Sequence, residues 1–143
     1  MRLIIIIALV IGVMPSFVAT DATAATTGSV VSQFTPVPSG NGRAVAFDGM
    51  GHLYHTLVGD THIYQVDLVG SPISSCDVGV EIGALSWDAS RHQLWAGAYD
   101  GSGKVFVVNF TKCTTKYVFA FVNSDIGSDY IDGIAYDSSD DTL

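Results

Sequence analysis

Positive charge is scarce in this chain. Six Lys and Arg stand against 14 Asp and Glu, a formal net charge of −8. No basic patch stands out along the sequence, so a phosphate backbone has nothing to bind and nucleic acid is excluded as a partner. Glutamate is almost missing, with Glu81 alone. The sequence contains no Gly-x-Ser-x-Gly elbow, no phosphate loop and no dinucleotide fingerprint. The common motif-borne routes to a serine nucleophile or a nucleotide site are therefore closed.

Long apolar runs are also lacking, except at the start. Arg2 precedes the unbroken run Leu3–Val13, Pro15 ends it, and Ala22-Thr23-Ala24 has the small-x-small form of a cleavage site. These features predict a signal peptide over residues 1–25. An uncleaved anchor is the rival reading, but the run is short of the about 20 residues that cross a bilayer. No Cys follows it to take a lipid. The mean hydropathy of +0.39 is inflated by this segment. The expected location is secreted or cell-surface, with no stable membrane span after cleavage.

Cysteine is limited to Cys76 and Cys113. Export into an oxidising compartment favours a disulfide. The partner of each is the other, a Cys of some further segment, or none if both are buried thiols. Asn109-Phe110-Thr111 is an N-glycosylation sequon, making Asn109 a candidate acceptor.

What is present is a repeat. Phe47-Asp48-Gly49-Met50-Gly51-His52-Leu53-Tyr54 returns as Trp87-Asp88-Ala89-Ser90-Arg91-His92-Gln93-Leu94-Trp95, and begins again at Tyr136-Asp137, running to Leu143. The steps between the Asp residues are 40 and 49. His62–Leu68 likewise matches Lys104–Phe110 at an offset of 42, with period-two alternation in both copies. Each unit assembles into strands in the order a, b, c, d. Strand a is expected at Arg43–Phe47, Gly83–Trp87 and Asp132–Tyr136. Strand b is expected at His52–Leu57 and Gln93–Ala98, strand c at Ile63–Leu68 and Val105–Phe110, and strand d at Lys116–Val122. Small residues at the second position of strand a (Ala44, Ala84, Gly133) suit a crowded innermost strand. Four antiparallel strands per 40 to 50 residues describe a propeller blade.

The predicted fold is thus all-β: a partial β-propeller after the signal peptide, spanning 26–143. Two four-stranded blades (about 43–82 and 83–130) precede the start of a third (131–143). Closed propellers have at least four blades as a rule, so the chain reads as a fragment of a longer protein. Ser29–Phe34 is expected as the outer strand of a ring-closing blade.

Arg43–Phe47, Asp48-Gly49-Met50-Gly51-His52-Leu53-Tyr54 and Gly59–Asp67 together resemble an NHL-type blade, and also blades of gluconolactonase-like and streptogramin-lyase-like propellers. The resemblance covers roughly residues 43–143 and implies a propeller fold serving enzymes and binding proteins alike. Asp132-Gly133-Ile134-Ala135-Tyr136-Asp137 is similar to the gluconolactonase segment that holds a metal-binding Asn before a Gly. The resemblance implies Asp132 as a ligand for a divalent cation such as Ca²⁺, the alternative being a loop cap. The family's further carboxylate positions fall on Leu57 and Ala98, which cannot ligate.

Six Asp residues (125, 129, 132, 137, 140 and 141) and no base lie between 125 and 143. They read as solvated turns or as calcium ligands. His52, His55, His62 and His92 fall on different loops and faces and do not make a zinc site. Trp87, Tyr136, Tyr54 and Trp95 occupy repeat positions and read as packing, which leaves Tyr99 as the aromatic free to face a ligand. The expected function is a non-catalytic module that binds a protein or glycan. The alternatives are a metal-dependent lactone hydrolase or lyase, and a structural repeat in a larger surface protein.

Overall fold

The structure is a computed structural model that describes residues 33–121 and 129–143. The expected signal peptide, most of Ser29–Phe34, Asp125 and the end of the strand expected at Lys116–Val122 lie outside the described residues.

Among the described residues eight strands make two sheets, and there is no helix. The first sheet has the order β1 (Gly42–Phe47), β2 (His52–Leu57), β3 (His62–Asp67) and β4 (Pro72–Asp77). The second runs β5 (Ile82–Asp88), β6 (Gln93–Ala98), β7 (Lys104–Asn109) and β8 (Thr114–Ala120). Every neighbouring pair is antiparallel and consecutive in sequence.

Asp explains why the meander turns where it does. The Asp48 carboxylate accepts the backbone N–H groups of Met50 and His52 at 2.7 and 3.0 Å. Asp88 repeats this with Ser90 and Arg91, both at 3.0 Å, and Asp137 with Ser139 at 2.8 Å. A short side-chain acceptor that satisfies the turn's own donors fixes a tight corner. On the c–d corner, Asp67 accepts from Val69 and Ser71, and Asn109 accepts from Lys112 at 3.0 Å. The sequon's Asn109 is therefore the turn residue of its own repeat.

The core lies between the two sheets. Ala46, Tyr54, Ile63 and Cys76 of the first meet Leu85, Leu94, Ala96 and Val108 of the second. Trp87 stacks on Tyr54 with ring centroids 5.4 Å apart and planes 8° apart, and Phe110 meets Tyr54 edge-on at 5.0 Å. One polar residue crosses this core. Thr56 is fully buried; its hydroxyl accepts the Ala44 N–H at 3.1 Å and donates to the Ile82 carbonyl at 3.0 Å. The hydroxyl both accepts and donates, and these bonds offset the cost of taking it out of water. The bond also ties the first sheet to the first residue of β5.

The fourth strand of the first unit, for which the sequence supplied no range, is β4, and Cys76 lies within it. Pro72 opens this strand and the ladder carries a bulge, both tolerated at a sheet edge. Cys113 lies in the corner before β8, and the disulfide Cys76–Cys113 joins the outer strand of one sheet to the outer corner of the other. The third strand a, expected at Asp132–Tyr136, forms no ladder. Among the described residues its turn leads to the single bridge Asp137↔Thr142. It still docks on the second sheet as a strand a would. Tyr136 stacks on Trp95 at 6.0 Å, and its N–H donates to the Ser86 hydroxyl at 3.0 Å. Ile131, Ala84 and Val105 form a second small core on that face.

Candidate functional site

The repeat alignment places Arg43, Gly83 and Asp132 at one equivalent position, where strand a begins. The structure brings them together. All three line a cleft of about 210 Å³, with Ala44, Ala84 and Gly133 among its other walls. At Gly83 the chain is crowded, whereas at Gly133 there is open space. A Cβ on Gly83 would strike the Ile131 carbonyl, and one on Gly97 would strike the Ile131 side chain.

Arg43 organises the mouth of this cleft. Its guanidinium lies over the Tyr99 ring, 3.4 Å from the centroid. Its Nε stands 3.1 Å from a Glu81 carboxylate oxygen, and an outer nitrogen lies 3.8 Å from Asp132. The guanidinium is mostly buried, whereas the Asp132 side chain is largely exposed. Burial opposes the charge on Arg43; the contacts with Tyr99, Glu81 and Asp132 outweigh it and raise the pKa above the ordinary arginine value. Tyr99 packs in turn on Tyr130, centroids 4.7 Å apart, and Tyr130 is half exposed. One end of the two-sheet unit therefore carries a planar cation, two carboxylates and two tyrosine rings. The glycine and alanine walls leave backbone open beside them.

Asp132 faces a cation here. Among the described residues no three His, Cys, Asp or Glu side chains are grouped so as to hold a metal ion. The late acidic residues are tied up separately: Asp141 on Arg91 at 2.6 Å, Asp137 on its own turn, and Asp140 on the Thr142 hydroxyl at 2.6 Å. The histidines are also dispersed. His52 Nδ1 pairs with Asp48 at 2.6 Å and His62 Nδ1 with Asp60 at 2.8 Å. His55 is buried, stacks on Tyr64 at 5.4 Å, and is held below its ordinary pKa by burial.

Sequence reasoning singled out Asp132 and Tyr99, set Arg43 at the position equivalent to Asp132, and missed Glu81 and Tyr130 as parts of the same mouth. Glu81 lies outside the repeated strand positions, so no alignment of units points to it. Tyr54 is deeply buried and Trp87 half-buried in the core between the sheets, and Trp95 packs against the second core. Comparison with protein-family models and with curated proteins finds no match for the chain.

Proposed function

We propose that this chain is an exported, non-catalytic β-propeller-type module that binds a protein or glycan at the end where its innermost strands begin. The arrangement that carries this reading is Arg43 laid on Tyr99, flanked by Glu81, Asp132 and the half-exposed Tyr130. Aromatic faces beside a fixed guanidinium and open carboxylates suit a polar ligand that is stacked on one side and hydrogen-bonded on the other. A disulfide between sheets is compatible with a secreted or cell-surface location. The NHL-type or gluconolactonase-like assignment of the blades is part of this proposal and rests on the sequence motifs quoted above.

The test is a glycan and peptide array probed with the oxidised chain, followed by titration of the best binder. Arg43→Ala and Tyr130→Ala should each weaken a genuine ligand at least about tenfold, which is about 1.4 kcal/mol. Lactone hydrolysis that needs an added divalent metal and is lost in Asp132→Ala would overturn the reading in favour of an enzyme.

A further inference from the structure

One imidazole in the first sheet is buried with nothing to bond. His55 stands in β2 between Val45 of β1 and Tyr64 of β3. It is 7% exposed, and its Nε2 is buried with no hydrogen-bond partner among the described residues. Leaving a buried polar atom unsatisfied is costly, so the position calls for a group that would satisfy it. Residues 33–41 cross this face of the sheet before β1 begins. Phe34 lies against Gly70, Val37 and Pro38 share a groove with Tyr64, and Gly40 faces Leu57. The Asn41 carbonyl then accepts the Val58 N–H at 2.9 Å.

Between that segment and the sheet lies a cleft of about 260 Å³, whose walls include Pro36, Gly40, Arg43, Val45, His55 and Leu57. Pockets for drug-sized ligands start at about 300 Å³, so the occupant is compact. Charge narrows it further. The Arg43 guanidinium already faces Glu81 and Asp132. An added anion would be the third about one cation, and an added cation would meet Arg43 itself. Burial holds the His55 pKa below its ordinary value, so the ring is neutral and needs no counter-ion. A sugar would leave most of its hydroxyls unpaired against Pro36, Val45 and Leu57. A single hydroxyl suits the site whichever tautomer His55 adopts. It donates to a bare Nε2 and accepts from a protonated one.

We propose that the cleft beneath residues 36–41 binds a compact, uncharged molecule with one hydroxyl on an apolar body, such as a phenol or a cyclic alcohol. The hydroxyl bonds His55 Nε2, and Pro36, Val45 and Leu57 enclose the rest. The cleft shares Arg43, Ala44 and Val45 with the cleft at the mouth, whereas Pro36, His55 and Leu57 line it alone. The site does not depend on what binds at the mouth.

The experiment is a titration of the full, oxidised chain with phenol, followed by the nuclear magnetic resonance of the imidazole rings. The His55 signal is the one missing in His55→Phe. Companion probes are toluene, which has the shape without the hydroxyl, and benzoate and benzylamine, which carry charge. The expected result is a saturable shift of the His55 signal by millimolar phenol, with the other three probes at least about tenfold weaker. His55→Phe keeps a ring against Tyr64 and removes the nitrogen. With its near-ultraviolet dichroism unchanged, it should weaken phenol at least about tenfold and abolish the preference over toluene. Gly40→Leu fills the cleft from the other wall and should remove phenol binding while the His55 signal persists. It decides the matter even where His55→Phe fails to fold. No saturable shift at millimolar phenol overturns the proposal. Toluene binding as well as phenol overturns it, because the His55 nitrogen then plays no part. Benzoate binding better than phenol overturns it in favour of an anion on Arg43. Undiminished phenol binding in Gly40→Leu overturns it by placing the ligand elsewhere. Ligands of the mouth are read through Tyr130→Ala, outside this cleft, so the two readings fall separately.

Discussion

Trp95 stacks on Tyr136 one repeat after Tyr54 stacks on Trp87. The first contact has centroids 6.0 Å apart and planes at 25°, the second 5.4 Å and 8°. The aromatic of each strand b is thus the seat for the aromatic of the next strand a. This one relationship explains why an aromatic precedes the turn Asp in the second and third copies, Trp87 before Asp88 and Tyr136 before Asp137. It carries the ring that joins a unit to the unit before it, and the Asp then turns the chain into strand b.

The two stacks should differ in worth. Trp87 is backed by Phe110 and the whole inter-sheet core, whereas Tyr136 rests on the open side of the second sheet. Trp87→Ala should cost about 3–5 kcal/mol, the usual range for emptying a large aromatic site. Tyr136→Ala should cost about 1 kcal/mol, the stacking increment without a cavity. Urea denaturation of both variants checks the order. Equal losses would mean that the second stack is as deeply built as the first.

The disulfide closes a sequence separation of 37 residues between the outer margins of the sheets. In the chain-entropy account a loop of this size is worth about 4 kcal/mol. Cys76→Ser/Cys113→Ser should therefore lower the thermal midpoint by more than about 10 °C. Reduction of the unmutated chain should do the same. A double variant as stable as the parent would show that the sheets are held by Thr56 and the aromatic core alone.

Much of this fold was legible because the repeat carries it. The expected b strands, His52–Leu57 and Gln93–Ala98, match β2 and β6. The alignment of strand starts set Arg43, Gly83 and Asp132 at one equivalent position, and all three line one cleft. β4 was not legible, since Pro-Ile-Ser-Ser-Cys-Asp has neither alternation nor β-branched bulk. It is a strand because β3 offers a free edge and the pairing Ile63↔Cys76 buries the cysteine. The docking of Asp132–Tyr136 without a ladder rests on contacts with Trp95 and Ser86 that no alternation pattern encodes.

Gly97 should act as a gate for that docking. It sits in β6 where the Ile131 side chain presses on the backbone, and its Cα has no room for a substituent. Gly97→Val adds bulk on a strand that otherwise favours it, so the two sheets should persist. The Ile131–Tyr136 segment should lift away, exposing Trp95. Limited proteolysis should then cut near residues 129–136 in the variant first, and tryptophan emission should move to the red. Unaltered cleavage and emission would mean that Ile131 shifts to make room.

Acid should loosen the molecule through two turn carboxylates. Asp88 is fully buried. Burial opposes its ionisation, but Ser90, Arg91 and Gln93 outweigh that and hold its pKa at about 2. Asp60 is also held at about 2, first by the Tyr64 hydroxyl at 2.6 Å and then by His62 against the cost of burial. Both values lie below the ordinary 3.8 of the unfolded chain. A carboxylate whose pKa is lower folded than unfolded adds stability that is complete above the unfolded value. That stability drains away as pH falls through 3.8 toward 2, because the unfolded chain takes up the proton first. For Asp88, with no solvent to screen it, the contribution is about 2 kcal/mol. Asp88→Asn should therefore be destabilised by about that amount near neutral pH and by almost nothing near pH 2. Asp60→Asn should show the same convergence with a smaller gap, since Asp60 is partly exposed. Urea midpoints measured from neutral pH down to pH 2 check this. Curves that stay parallel to the parent at every pH would show that neither carboxylate is held ionised by the fold.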